Sequence, residues 1–416
     1  MRVMRRRTVA IILIVLIFGS AFGVFFVFTF LGQFSPLPHE MVCQLTGEDA
    51  LNDTTVVNVY GADVGLMVEW QDRLHFVFGD TFGPDNWDWR SNTMAYTLDT
   101  DPSDGIVLTD WITDNVTHFA KELIHSLKVD EVEMTVIPTA AYSSGGCLYV
   151  FYMSVNTWGE HGDWTSNNAS IAYSFDGHTF IKANNMSWSG SSNFIEWGLV
   201  KGDDSAPSTG GYLYFLTTGS GRFHDCFLVR VPENHVLNQS SYQYYTGLGA
   251  GDAPTWSSDQ EDALPVIEAP IGEISVMWNT YLDKYMLMNL DDVQQQILIR
   301  TADSPWGPWS TPRVIIQRPE YVGFYSPNID PILVEDDGRI IYFTMSLWFE
   351  YNVYFMKVDL TPLWSLASHH LLISWLVAGF VSILMLDTVR LRCNNILNGI
   401  KGLGKIILGV HKRYST

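Results

Sequence analysis

Five carboxylates recur through the middle of this chain, each at the start of an apolar, aromatic-rich run: Asp63, Glu133, Glu196, Glu273 and Asp330. A sixth, Asp80 within Phe78-Gly79-Asp80-Thr81-Phe82-Gly83, ends the second run of the first group and could return to the same end. Acids in such a pattern suit glycoside hydrolysis, in which one carboxylic acid protonates the leaving oxygen and one carboxylate activates water or attacks the sugar. In that reading Asp63 or Asp80 is the base or nucleophile. Glu273 is the acid, because Ile271, Ile274 and Val276 surround it with apolar side chains that would raise its pKa. Asp330 orients a sugar or tunes the acid. Arg90 in WRSN and Arg222 in SGRF are candidates to bond sugar hydroxyls or to hold the acids by bidentate pairing. Trp89, Trp158, Trp197, Trp278 and Trp348 offer faces for sugar stacking, with Trp89 and Trp158 the two singled out. The structural alternative is concrete. Acids at strand starts often bond exposed backbone amides, Asp80 stands beside turn-forming Gly79 and Gly83, and most tryptophans in such a chain pack in the core.

Other chemistries lack their residues. His75, His161, His224 and His235 show no paired spacing for zinc, and neither a phosphate-cradling glycine loop nor a GxSxG elbow is present. No metal ligand set is therefore expected. The acidic pairs Asp203-Asp204, Asp291-Asp292 and Asp336-Asp337 could hold calcium, a solvated turn being the commoner explanation.

The elements that must position these acids are strands. Short β-rich runs alternate with Gly, Asn, Asp and Pro clusters, and only a brief stretch near Phe119 to Leu127 has helical spacing. Strand, polar turn and second aromatic strand repeat five times, from Gly65, Met134, Phe194, Glu273 and Ile329. Five such modules predict an all-β, five-bladed β-propeller over residues 40–360, with Thr54 to Val59 closing the last blade. A two-sheet sandwich is the competing fold. Ser174-Phe175-Asp176-Gly177-His178-Thr179-Phe180 resembles an Asp-box, a structural hairpin found on the rim of many propellers.

Two apolar segments flank this domain. Arg2, Arg5, Arg6 and Arg7 (residues 1–8) precede an uninterrupted apolar run over 9–31, long enough to span a bilayer and longer than a cleaved signal peptide's core. A second run over 363–386 is followed by Arg390, Arg392, Lys401, Lys405, Lys412 and Arg413, in a basic amphipathic tail over 387–416. A buried C-terminal helix is the other reading of that run. Positive charge on the distal flank of both runs predicts cytoplasmic termini, an N-terminal signal anchor and an extracellular propeller in the cell membrane. Five sequons at Asn52, Asn115, Asn168, Asn185 and Asn238 fit an exported glycoprotein. Cys43, Cys147 and Cys226 allow at most one bridge in that domain. The domain holds 44 of the 45 acidic residues and 14 of the 24 Lys and Arg, a net of about −30. That charge disfavours nucleic acid and anionic lipid as partners and suits a neutral carbohydrate.

Several strings then resemble one family in its order: FGDTFG at Phe78, WRSNTMAYTLDTDPSDGI at Trp89, TGSGRF at Thr218, GEISVMWN at Gly272, SPWGPWS at Ser304 and YNVYFM at Tyr351. The chain resembles the domain of unknown function 4185 family, which includes endo-D-arabinanases. The resemblance implies a five-bladed propeller and, as in characterised members, cleavage of furanoside linkages in arabinan. Asp80 and Glu273 stand inside family-like strings. Two function classes follow: a membrane-tethered glycoside hydrolase, or a non-catalytic propeller that binds a glycan or protein as a receptor or adhesin. A hydrolase needs two acids facing each other roughly 5 to 9.5 Å apart across one pocket, and a lectin does not.

Overall fold

The computed structural model describes residues 35–202 and 209–361. The chain divides into two compact units, Met1–Leu360 and Thr361–Thr416, and all that follows concerns the first. Both expected membrane segments, the basic termini and Asp203-Asp204 lie outside the described residues. Among the described residues no helix is long and apolar enough to cross a membrane.

Five antiparallel sheets make five blades. The first holds β2 (Gly61–Trp70), β3 (Arg73–Phe82), β4 (Thr93–Thr97) and β5 (Asp110–Trp111), preceded by β1 (His39–Gln44). The second holds β6 (Thr135–Ser144), β7 (Cys147–Trp158), β8 (Trp164–Ser174), β9 (Ile181–Lys182) and β10 (Trp188–Ser189). The third, with two extra strands, runs β11 (Glu196–Lys201), β12 (Tyr212–Thr218), β13 (His224–Pro232), β14 (Gln243–Leu248), β15 (Pro254–Ser257) and β16 (Pro265–Ile271). The fourth is β17 (Ile274–Asn279), β18 (Lys284–Asp291), β19 (Gln296–Ala302) and β20 (Arg313–Gln317). The last is β21 (Phe324–Glu335), β22 (Ile340–Leu347) and β23 (Asn352–Asp359). The innermost strands β2, β6, β11, β17 and β21 contact one another in a closed ring. The fold is an all-β five-bladed propeller.

The five sequence modules are the inner hairpins of the five blades. The closing strand is elsewhere than expected. It is β1 that pairs with β23, from His39 opposite Val358 to Gln44 opposite Tyr354. Thr54–Val57 forms a 3₁₀ turn, because the Asp53 carboxylate accepts the Thr55 N–H and Asn58 ends the turn in left-handed backbone. The β-branched run therefore never extends. The stretch from Phe119 to Leu127 is irregular, anchored by buried Leu123 and Ile124, and Cys43, Cys147 and Cys226 are all unbridged.

Middle strands such as β12 are buried on both faces, since each blade is sandwiched between two others and has no wet side. The core sits between blades. Phe151 of β7 lies 4.8 Å from the Phe215 ring and 5.6 Å from Trp197, joining the second and third blades. At the end of β8, Ser174 and Asp176 close the Asp-box turn: Asp176 Oδ1 accepts the His178 and Thr179 N–H groups at 2.9 and 2.7 Å. Those bonds hold the exposed Asp176 carboxyl down at about 2. Truncating Phe151, which is fully buried, to Ala should cost about 3–5 kcal/mol in chemical denaturation; a loss below about 1 kcal/mol would contradict the interblade packing.

Candidate functional site

The starts of the innermost strands gather at one end of the axis around a cavity of about 360 Å³. Asp63, the third residue of β2, is aimed there by an irregular ladder. Pairing with β3 slips on both sides of Val64, and Val64 and Gly65 have φ of 70° and 77°. Asp63 Oδ2 accepts the hydroxyls of Tyr325 at 3.0 Å and Tyr351 at 3.1 Å. Its Oδ1 is buried with no hydrogen-bond partner. That oxygen lies against Gly79, where a Cβ would stand only 2.3 Å away, so the Gly of FGDTF makes room for it. The next residue, Asp80, reaches the cavity from β3 and accepts Trp89 Nε1 at 2.7 Å and Thr135 Oγ1 at 2.5 Å.

The third and fourth blades add two more acids. Glu196 opens β11, is 3% exposed, and leaves Oε1 unpartnered. Glu273, just before β17, takes Arg222 Nε and Nη2 on one oxygen at 2.9 and 2.6 Å and leaves buried Oε2 unpartnered. Arg222 also faces Asp292 at 3.8 Å, and its guanidinium stands 5.3 Å from the Tyr325 ring centre. Phe82, Trp89, Trp158, Trp164, Trp197 and Trp348 give the cavity aromatic walls, with Trp158 and Trp348 exposed at its rim.

Burial disfavours charge on these carboxyls and dominates their titration. It lifts Asp63 to about 7, with the Tyr325 and Tyr351 bonds pulling down and the Glu273 charge pushing up. Asp80 rises to about 8 through burial and then the Asp63 charge. Glu196 is raised well above its usual range by burial and then by Glu273. Burial alone would lower Arg222, but Glu273 and Asp292 outweigh it and keep the guanidinium charged.

Of the residues singled out by sequence, Asp63, Asp80, Glu273, Arg222, Trp89 and Trp158 all line this cavity. Arg90 and Asp330 do not. The Arg90 guanidinium is buried and spent on the carbonyls of Asp88, Ala120 and Asn58 at 3.1, 3.1 and 2.6 Å. Asp330 lies further along β21 and lines a second cavity of about 410 Å³ with Glu69 and Trp278, its Oδ1 accepting the Ile332 N–H. Leu66, Thr139, Trp197, Ile274 and Asn328, one per blade, border both cavities. Glu273 does not have the apolar setting expected from its sequence neighbours, because Arg222 arrives from the third blade. Glu133 bonds Ser154 and the Leu127 N–H outside the cavity. Glu196 belonged to the strand-start series but had no assigned role, and Tyr325 and Tyr351 carried no sequence signal beyond the second standing in YNVYFM. Among the described residues no group of His, Cys, Asp or Glu is arranged to hold a metal ion. Asp292 is instead turned to Arg222, and Asp336 to Arg339.

These features define a five-bladed propeller with a carboxyl-lined axial pocket. Residues 49–357 match the family described as Domain of unknown function (DUF4185), and the chain belongs to that family. Notoamide biosynthesis cluster protein J of Aspergillus sp. is 27% identical over 232 residues, which are 52% of this chain and 56% of that protein. Notoamide biosynthesis cluster protein J' of Aspergillus versicolor is 28% identical over 211 residues, 47% of this chain and 53% of that one. The chain thus spans about half the length of these relatives. In fold, it is similar to a crystal structure of a "putative hydrolase" from Bacteroides ovatus, with a TM-score of 0.53, 14% identity, and coverage of 73% of this chain and 86% of that one.

The electrostatics carry a sign that can be tested. Between the ordinary Asp value of 3.8 and about 8, folded Asp80 keeps a proton that the unfolded chain has lost. Its contribution is intact below pH 4 and is lost as pH rises toward 8, at about 1.4 kcal/mol per pH unit. Asp80→Asn should therefore melt close to the parent at pH 4 and clearly above it at pH 8. Parallel melting curves across that range would contradict a raised Asp80.

Proposed function

We propose that this protein is a glycoside hydrolase acting on a neutral polysaccharide or glycan, with arabinofuranosyl linkages the first substrate to try. One observation carries the reading. Three carboxyl oxygens from three blades, Asp63 Oδ1, Glu196 Oε1 and Glu273 Oε2, lie buried and unpartnered at a single aromatic-walled cavity. Leaving such groups unmet costs about 1–3 kcal/mol each, a cost that substrate hydroxyls and a water would offset. Membership of a family that resembles endo-D-arabinanases points to the same chemistry by analogy.

The roles follow from the environments. Glu196, whose burial and whose neighbour Glu273 disfavour ionisation, is the general acid that delivers its proton to the leaving oxygen. Asp63 is the base or nucleophile: two phenols orient it, one oxygen is free, and its pKa near 7 suits proton transfer at that pH. Asp80 tunes Asp63 by proximity, and Glu273 paired to Arg222 bonds sugar hydroxyls. Trp158 and Trp348 stack on the sugar at the rim. This allocation moves the acid from Glu273 to Glu196. Incubating the purified protein with linear arabinan should release reducing ends, with a rate that rises as pH approaches 7. Glu196→Gln and Asp63→Asn should each lower kcat about 10²-fold or more. Unchanged rates would sink the assignment, and saturable arabinan binding without cleavage by the parent would favour a glycan-binding propeller.

The same proposal places the propeller outside the cell, tethered by residues 9–31 and 363–386, with both termini cytoplasmic. Sequon exposure accords with that. Asn115, Asn185 and Asn238 are exposed in turns, whereas Asn168 is committed to β8 between β7 and β10. Mass spectrometry of the protein made in a eukaryotic secretory pathway should find glycans at Asn115, Asn185 and Asn238. Their absence at all three would count against export.

A further inference from the structure

Besides Tyr351 at φ 50°, two residues facing the cavity hold left-handed backbone without being glycine: Val64 with φ 70° and Ser326 with φ 49°. For a β-branched residue this conformation is strained and persists only when its surroundings over-determine it. Each directly follows a residue of the site, Val64 after Asp63 and Ser326 after Tyr325. Each also lies where a strand ladder slips, between Ala62 and Leu66 on β2 and between Tyr325 and Asn328 on β21. The two strands belong to neighbouring blades, and one side chain joins them. Asn328 is 4% exposed, and its Nδ2 donates to the Val64 carbonyl at 3.1 Å, the Ser326 carbonyl at 2.9 Å and Ser326 Oγ at 3.3 Å. On the preceding peptide, the Val64 N–H donates to Ser346 Oγ at 2.9 Å.

We propose that Asn328 is a positioning residue: by holding the carbonyls of Val64 and Ser326 it fixes two left-handed turns on adjacent blades, and with them the aim of Asp63 at the Tyr325 hydroxyl. The chemistry requires an amide. Its NH₂ group carries two hydrogens for two carbonyls, which an Asp at the same place would face with lone pairs alone. Without the clamp, Val64 relaxes toward extended backbone and Asp63 turns out of its buried place among Tyr325, Tyr351, Asp80, Glu196, Glu273 and Arg222.

The inference rests on the Asp63 site proposed above, but its test needs no hydrolysis. The readout is the melting-temperature difference between Asp63→Asn and its parent from pH 5 to pH 8, in backgrounds with and without Asn328→Ala. In the native background the difference grows with pH, as for any carboxyl held protonated by burial. In the Asn328→Ala background it should shrink by at least half, and adding Val64→Gly should restore most of it, since glycine adopts positive φ without a clamp. An Asn328→Ala protein that melts lower yet keeps the full pH-dependent difference makes Asn328 a general structural residue and overturns the proposal. An Asn328→Ala protein unchanged in both respects does so too. Should Asn328→Ala not fold, the double variant with Val64→Gly is compared with Val64→Gly alone: equal differences support the clamp, and a lost difference in the double variant contradicts it.

Discussion

Four carboxyl groups, Asp63, Asp80, Glu196 and Glu273, line one cavity with a single guanidinium, Arg222, and this imbalance governs the molecule. Four negative charges against one positive cannot all persist in a low-dielectric cavity. Protons must stay on some of them. The geometry decides which: Glu273 receives two N–H donors of Arg222, Asp63 receives two phenols, and Glu196 leaves Oε1 with none. Acids that differ in this way can divide the work of giving and taking a proton, which is what a hydrolytic site requires. As these carboxyls ionise toward neutral pH, their burial works against the folded state.

The propeller is what allows such crowding. The acids come from three blades, Asp63 and Asp80 from β2 and β3 of the first, Glu196 from β11 and Glu273 from just before β17, so no single strand carries the repulsion, and closure by β1 on β23 keeps the ring from opening. Local irregularities do the aiming. The ladder slips around Val64, Gly79 leaves space for the Asp63 carboxyl, and Gly221, with φ of 89°, turns the loop that carries Arg222 inward. These features lie at the cavity end of the strands. The regular Asp-box turn lies at the other.

The blade count was legible because each inner hairpin has the same apolar strand, polar turn and aromatic strand. Those patterns reflect burial on both faces, a local consequence of position in a blade. Asp63, Asp80 and Glu273 were legible for a related reason, as charges placed at the starts or ends of apolar strands. The closing strand was not, because Thr54–Val57 has strand-forming residues but a capping Asp53, while His39–Gln44 has little sequence contrast. The partners of each acid were also hidden. Arg222 meets Glu273, and Tyr325 meets Asp63, across 51 and 262 residues of chain, so neighbours in sequence gave a false picture of Glu273 and none of Asp63. Arg90 and Asp330 show the reverse case: polar residues in family-like or strand-start positions whose bonds go to backbone groups away from the site.

Shared protons in the pocket are the core of this account, and they can be counted. In protein labelled with ¹³C at Asp and Glu carboxyl carbons, carbon-detected NMR titration from pH 3 to 9 would follow every carboxyl at once. The account predicts that Asp63, Asp80 and Glu196 titrate well above ordinary solvated Asp and Glu, with the Asp63 resonance assigned by its loss in Asp63→Asn and its midpoint near 7. A titration in which every carboxyl has lost its proton by about pH 5, in the range of ordinary solvated Asp and Glu, would contradict it.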